Sequence, residues 1–432
     1  MFVSENLSVN EKGNLTIGGV DTINLTKEYG TPLYVMDEEL IRRNCRSFKS
    51  SIEKFYGGNG LVCYASKAFC CTEMCRVMKD EGIGLDVVSI GELYTAIKAG
   101  FDCDKICFHG NNKTDEEIAF AVENKIGHII VDNIPELERL NTIAKEKGIV
   151  AKIMFRIKPG IDAHTHNFIR TGQIDSKFGF ALETGEAFEA VKKAISSENI
   201  VLRGLHCHIG SQIFDIDPFE SAAEVMLGFI AKIKNELGFE VKELNLGGGF
   251  GIKYLNSDDP VPYETYMERV SEKVHKMCDE LGINLPFIII EPGRSIAAPA
   301  GITLYTVGAR KEIPNIRTYI SIDGGMCDNP RYILYQSEYE AIVANKASEE
   351  RSEKVTIAGK CCESGDLIGE NMPLQHADSG DIIAVCATGA YNYSMSSNYN
   401  RIPKPPVVFV KNGESRVVVK RETLDDIIRN DL

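Results

Sequence analysis

The sequence predicts an α/β protein: a parallel-stranded (β/α)8 TIM-type barrel with a second, antiparallel β-domain. Three observations carry this. From about residue 60, short apolar runs alternate with amphipathic stretches of helical spacing. The runs number eight, the count that closes a barrel. After about residue 296 the texture changes to strand-like segments with few helical stretches between them. An open doubly wound sheet remains as a second architecture, because strand number alone does not prove closure.

The eight runs are LVCYAS (61–66), GLDVVS (84–89), KICFHG (105–110), HIIVDN (128–133), AKIMFRI (151–157), VLRGLHCHIG (201–210), ELNLGGG (243–249) and PFIIIEPG (286–293). Together they span about 230 residues, within the usual size of a barrel. Between them, Gly91 to Ala99 and Glu116 to Asn124 have helix-like spacing. Later strand candidates are ITLYTVGARKE, TYISIDGG, YEAIVANK, EKVTIAGK and DIIAVCATGAY. VVFVK and ESRVVVK flank Asn412-Gly413, a dipeptide that favours a two-residue hairpin turn. LSVNEKGNLTIGG near the start looks like another hairpin and is expected to join the C-terminal β region. The expected boundaries are 31–295 for the barrel, and 1–30 plus 296–432 for the β-domain.

Composition narrows the function classes. The chain has 432 residues, 44% hydrophobic and 25% charged, which suits a globular protein of more than one domain. With 48 Lys and Arg against 62 Asp and Glu, the net charge is −14, which disfavours nucleic acid or an anionic membrane as partner. No apolar run approaches the ~18 residues of a membrane span. The start, MFVSENLSVNEKG, lacks the basic and apolar regions of a secretion signal. The thirteen cysteines therefore read as mostly reduced thiols, and the expected location is cytoplasmic.

Barrel enzymes gather their chemistry where the βα loops converge, at the C-terminal ends of the strands. That rule selects Lys67, Asp86, His109, Asp132, Arg156, His206, His208, Gly247, Gly248, Gly249 and Glu291. Lys67 is either a solvated lysine beginning a helix or an amine kept partly neutral for Schiff-base chemistry. His206 and His208 lie two apart on one predicted strand, so their rings are expected on the same face. A core role, a metal pair, and for His208 stacking on a flat cofactor are all open, a lone His-x-His being weak evidence for metal. The triple glycine is a tight turn or a phosphate cradle. Glu291 ends an apolar strand ahead of Pro292, so it is expected to be buried and to need a partner or a proton. Cys361-Cys362-Glu363-Ser364-Gly365-Asp366 follows a predicted strand. Adjacent cysteines are poorly spaced for a metal, and none is expected, but a partly exposed thiol there suits an acid or a nucleophile.

Ten segments in fixed order then resemble one family: YASKA (64–68), LDVVSIGE (85–92), HGNNK (109–113), DSKFGF (175–180), GLHCHIGSQI (204–213), NLGGGFG (245–251), EPGRS (291–295), DGGMCDNPRYILY (323–335), CCESGD (361–366) and GAY (389–391). They resemble the pyridoxal-phosphate decarboxylases of the alanine-racemase-like barrel fold (fold type III), in the branch that acts on diaminopimelate. The resemblance runs from GTPLYVMD (30–37) to GAYNYSMSSNYN (389–400). It implies pyridoxal 5'-phosphate as cofactor, held by the Lys67 amine, with His208 stacked on its ring and Glu291 paired with the ring nitrogen. Gly247, Gly248, Gly249, Ser211, the backbone from Pro292 through Gly293 to Arg294, and the Tyr391 hydroxyl would bind its phosphate. Cys362 would donate the proton that replaces the lost carboxylate, reaching the site of a neighbouring subunit, which implies a homodimer with shared active sites. Arg294, Arg331, Tyr335, Glu363 and Tyr391 would bind the far end of the substrate.

The implied reaction is decarboxylation of meso-2,6-diaminopimelate to L-lysine and CO2, the last step of lysine synthesis by that route. Two arginines beside a glutamate suit the zwitterionic tail of that substrate, since guanidinium clamps carboxylate bidentately. Lys360 and Tyr332 stand where the family often has proline, and altered loop rigidity is expected there. Three other readings are a sister decarboxylase with another amino-acid substrate, a metal-dependent barrel hydrolase using His206 and His208, and a homologue without activity.

Overall fold

The computed structural model describes residues 2–161 and 175–432. The chain forms two compact units, one of Asn44–Gly251 with Pro260–Gly293, the other of Met1–Arg43, Ile252–Asp259 and Arg294–Leu432.

The first unit is a closed parallel barrel. Its strands are Gly60–Ala65, Gly84–Val87, Ile106–Phe108, His128–Val131, Ala151–Lys158, Ile200–His206, Glu243–Asn245 and Phe287–Ile290. Each pairs with the next, and the last returns to the first through Ile288 opposite Gly60, which excludes the open sheet. Every predicted run supplies one of these strands. Near-continuous apolar runs form such strands because both faces are covered. Inside the ring, Cys63, Cys107, Ile130, Met154 and Ile289 pack as one buried cluster. A short strand, Phe180–Ala181, runs parallel to Ile157 and Lys158 at the C-terminal end of Ala151–Lys158.

Caps fix where the strand-to-helix turns end. Ser89 caps Ile90–Lys98, Thr114 forms a capping box with Glu117 at Asp115–Glu123, and Asn133 caps Ile134–Lys147. Each cap satisfies an orphan helix amide within a few residues of a strand end, so the rim residues are carried on short, hydrogen-bonded turns. At the other end of the barrel, His128 Nε2 lies 2.6 Å from Glu243 Oε2, and Arg203 Nε donates to Glu243 Oε1 at 2.8 Å.

The second unit contains a sheet in the order Leu367–Leu374, Glu353–Ala358, Arg317–Ile322, Gly301–Ile313, Leu33–Asp37, Val407–Lys411, Glu414–Val419. Ile382–Cys386 pairs with both Gly301–Ile313 and Ala341–Val343. The Asn412-Gly413 hairpin forms as predicted, with positive φ at both residues and Lys411 opposite Glu414.

Three details differ from the sequence expectation. The sheet is mixed: Tyr319–Ser321 run parallel to Thr356–Ala358, and Val407–Val410 parallel to Tyr34–Asp37. Long connections make such pairs possible where hairpins cannot. Leu33–Asp37, counted above within 31–295, lies in this sheet, antiparallel to Gly301–Leu304. All five of its residues are buried, so its apolar pattern does not reveal which sheet it joins. Leu367–Leu374 went unrecognised because Gly369, Glu370, Asn371 and Pro373 read as a turn.

The N-terminal hairpin pairs Leu7–Val9 with Leu15–Ile17 and belongs to the same unit. Leu15 and Ile17 share a core with Leu33, Val35, Ile302, Leu304 and Val408. Among the described residues, no helix is long and apolar enough to cross a membrane.

Candidate active site

Glu291 follows the last barrel strand directly and is buried. Its Oε1 accepts from His109 Nε2 at 2.8 Å and from Asn245 Nδ2 at 2.6 Å, while Oε2 faces His206 Nε2 at 3.2 Å. His109 follows the third strand, His206 ends the sixth and Asn245 ends the seventh, so three strand ends converge on one carboxylate. Burial alone would raise the Glu291 carboxyl, but the His109 and His206 rings and their hydrogen bonds hold it well below the usual range. Burial dominates at His206, pushing its ring down to about 3 despite the neighbouring carboxylate. A neutral ring beside an ionised carboxylate must carry its proton on the facing nitrogen, so Nε2–H is the donor. A carboxylate offers about four lone-pair sites. Among the described residues three protein donors fill three of these, leaving one for a further N–H.

The loop above is equally constrained. Gly247 has φ +69°, a Cβ on Gly248 would lie 2.2 Å from the Glu291 carbonyl oxygen, and one on Gly249 would lie 2.8 Å from that of Gly210. Glycine is required by this close approach of backbone to backbone. Gly247 N donates to Asn245 Oδ1 at 2.9 Å, and Glu291 N to the Gly247 carbonyl at 2.8 Å, tying the turn to the carboxylate. Ser211 follows Gly210 and is half-buried. Pro292 accepts from Ala65 N at 3.2 Å, and a Cβ on Gly293 would meet the Ala65 Cβ at 2.8 Å. Lys67 sits on the single 3-10 turn Ser66–Ala68 after the first strand, with its side chain exposed.

His208 corrects one expectation. The sixth strand ends at His206, so strand alternation does not extend to His208. His206 turns to Glu291, while half-buried His208 accepts the Gly248 N–H on Nδ1 at 3.3 Å. Burial, with Lys67 nearby, holds the His208 ring well below its ordinary pKa, and hence neutral. The expected His206–His208 pair is replaced by a cluster of His109, His206 and Glu291, whose ligand-type atoms lie within 4.8 Å and are already hydrogen-bonded to one another.

Asp86 lies 3.8 Å from His109 Nε2, and burial raises its carboxyl. Sequence reasoning did not single out Asn245, nor the role of Lys113, whose buried ammonium donates to Gly110 O, Ile130 O and Glu136 Oε1 at 2.9, 2.7 and 2.7 Å. That fully satisfied cation anchors the loop carrying His109; a lysine inside HGNNK was the available signal.

The second unit holds another polar cluster. Arg294 and Arg331 are buried, and their guanidinium carbons lie 4.7 and 5.3 Å from the centroid of the Tyr391 ring. Arg331 also stacks on Tyr335 at 5.2 Å, and Arg294 Nη1 donates to the Tyr254 hydroxyl at 2.6 Å. Tyr391 adopts φ +67°, uncommon for a bulky residue and a mark of a position fixed by its surroundings. Tyr254, about 40 residues before Arg294 in sequence, was missed because only the fold brings it there.

Cys362 and Glu363 lie on the turn between Glu353–Ala358 and Leu367–Leu374, and both are exposed. Cys362 is the one exposed cysteine of thirteen. Its neighbour Cys361 is buried, and burial together with Asp366 pushes that thiol up to about 11.

Residues 38–298 match the family model described as "Pyridoxal-dependent decarboxylase, pyridoxal binding domain". The barrel and its rim are thus those of a pyridoxal-dependent decarboxylase. The diaminopimelate decarboxylase of Bacillus methanolicus is 52% identical over 98% of both chains, and that of Bacillus subtilis (strain 168) is 50% identical over 100% of this chain and 98% of its own. A solved diaminopimelate decarboxylase from M. jannaschii, in co-complex with L-lysine, superposes with a TM-score of 0.92 at 36% identity, covering 100% of this chain and 99% of that one. The chain belongs to the diaminopimelate decarboxylase family of pyridoxal-dependent enzymes. Its rim fits the cofactor: an ionised carboxylate keeps one acceptor site, three glycines leave space at the backbone, and an exposed amine stands at the first strand end.

Proposed function

We propose that this protein decarboxylates meso-2,6-diaminopimelate to L-lysine and CO2 with pyridoxal phosphate. The observation that carries the reading is Glu291, buried, ionised and left with one free acceptor site at the barrel rim. Bound pyridoxal phosphate supplies the electron sink for the charge left when CO2 departs, a sink that is stronger when its ring nitrogen is protonated. Glu291 holds that proton in place; each unit by which it raises the nitrogen's pKa is worth about 1.36 kcal/mol. Lys67 would hold the cofactor through its amine, and neutral His208 would lie against its ring. Gly247, Gly248, Gly249, Ser211, the backbone of Pro292, Gly293 and Arg294, and the Tyr391 hydroxyl bind phosphate. Orientation selects the bond that breaks. Cys362 then delivers a proton to the carbon that lost its carboxylate. Arg294, Arg331, Tyr335, Glu363 and Tyr391 recognise the distal carboxylate and ammonium. Relatives named for diaminopimelate and solved with L-lysine support this choice of substrate.

The working unit in this reading is a cytoplasmic homodimer with shared sites, in which exposed Cys362 and Glu363 serve the neighbouring subunit. Thirteen free cysteines suit a reducing compartment. Purified protein with pyridoxal phosphate and meso-diaminopimelate should release lysine and CO2 in equal amounts. Normal cofactor absorbance without lysine would move the assignment to a sister decarboxylase. Mixing inactive Lys67→Ala and Cys362→Ala proteins should restore up to about a quarter of the activity, because half the dimers then carry one intact site; no recovery would reject the sharing.

A further inference from the structure

The Cys361–Asp366 turn is pinned at two consecutive backbone amides by side chains from different parts of the second unit. Cys361 N donates to Asp366 Oδ2 at 2.7 Å, and Cys362 N donates to Asn400 Oδ1 at 2.8 Å. The second oxygen of Asp366 accepts from Met326 N at 2.6 Å. The buried carboxylate therefore joins the thiol's turn to the Gly324–Met326 loop, which leads into the helix Arg331–Tyr335. Space for it is made by two glycines: a Cβ on Gly325 would lie 2.4 Å from Asp366 Oδ1, and one on Gly359 2.2 Å from it. The backbone repeats the link, with Lys360 N donating to the Gly324 carbonyl at 2.9 Å and Gly359 N to that of Asp366 at 2.8 Å. Asn400 approaches from a left-handed conformation, φ 52° and ψ 23°, so its side chain is aimed by backbone geometry that asparagine tolerates better than most residues.

We infer that Asp366 and Asn400 are positioning residues: together they clamp the Cys361–Cys362 backbone, set the direction of the Cys362 thiol, and through Asp366 couple it to the segment bearing Arg331. This rests on the reading of Cys362 as the proton donor. Neither residue touches the reacting atoms in this scheme. Each acts through an amide hydrogen bond, and a backbone N–H turned away from its acceptor frees the thiol to point elsewhere.

The test uses holoenzyme variants Asn400→Ala, Asn400→Asp, Asp366→Asn and Cys362→Ala, with kcat, KM, melting temperature and the rate of Cys362 alkylation by iodoacetamide read by mass spectrometry. Asn400 is exposed, so Asn400→Ala should fold with an unchanged melting temperature. It should lower kcat and quicken Cys362 alkylation by about fivefold each, the shift one lost hydrogen bond supports, with KM little changed. Asn400→Asp restores the acceptor and should bring both values back towards those of the parent. Asp366→Asn turns an acceptor into a donor facing an N–H, and should lower kcat, quicken alkylation and raise KM. Parental kcat and alkylation in Asn400→Ala and Asp366→Asn, with Cys362→Ala still slow, overturn the clamp and leave the donor standing. Near-normal turnover in Cys362→Ala removes the donor assignment. Alkylation then decides the clamp alone: a faster rate keeps it and an unchanged rate overturns it.

Discussion

Glu291 in the barrel and Arg331 in the β unit are both charged, both buried, and held by different forces. Glu291 is surrounded by aimed donors from three strand ends, with heavy-atom distances of 2.6 to 3.2 Å. Arg331 lies against the faces of Tyr335 and Tyr391, and its Nε has no hydrogen-bond partner among the described residues. Directional hydrogen bonds fix a charge in one place and hold its protonation state, as suits a group that must keep a proton at one atom throughout a reaction. Stacking on aromatic rings supports a guanidinium while leaving its N–H edge available for an anion. The first arrangement fills all but one acceptor position of its charge; in the second, Arg331 Nη2 donates to Ser337 Oγ at 3.4 Å and Nε stays without a partner among the described residues.

Glu291→Gln is the sharpest way to break the first side of this contrast. It keeps shape and removes the charge, so kcat should fall by about 10²-fold, a loss typical of removing proton control at a reacting group, while the cofactor's visible absorbance persists. Unchanged kcat would mean that the buried carboxylate is only structural. Arg331→Lys addresses the second side. A point charge replaces a planar fork, so KM for diaminopimelate should rise by about tenfold with a smaller change in kcat; steady-state kinetics showing the reverse split would place Arg331 in the chemistry itself.

The smallest effect lies at the end of the barrel opposite Glu291. Burial would lower His128, but the Cys107 thiol and the Glu243 carboxylate beside it raise it to about 10. Its folded pKa lies above the unfolded value near 6.5, so protonation favours the folded state. That contribution is complete below about pH 6.5 and is lost as pH rises to about 10. The melting-temperature gap between the parent and His128→Gln should narrow across that window, and a gap that widens with pH would contradict the assigned charge.

How much of this was legible in the sequence depended on whether the signal was local. The eight barrel strands were readable because they are largely buried on both faces and most give way to a polar residue, as Ile290 does to Glu291. The Asn412-Gly413 turn was readable because positive φ at two successive residues needs that chemistry. Leu367–Leu374 was not, since its Gly369, Asn371 and Pro373 carry a turn's composition and only pairing with Glu353–Ala358 makes it a strand. His208 was placed on the wrong side of a strand end, because nothing in HCHIG marks where pairing stops. Asn245 and Tyr254 escaped notice for a third reason. An asparagine in a strand and a tyrosine in a loop gain meaning only from Glu291 and Arg294, each about 40 or more residues away in sequence. Family resemblance supplied the roles of Lys67, Cys362 and Glu363, which composition and spacing had left open.

Leu33–Asp37 has a consequence for the order in which the protein can be made. It runs beside Gly301–Leu304 on one side and Val407–Val410 on the other, so the strand emerges from the ribosome long before either neighbour exists. The barrel strands, from Gly60 to Ile290, are all synthesised in the meantime. For most of translation a strand that the finished fold buries completely therefore waits with both edges bare, the condition in which strands recruit wrong partners. A message truncated ahead of codon 407 would leave one of those edges open for good, and its product should reach chaperones or inclusion bodies even where the barrel itself has closed.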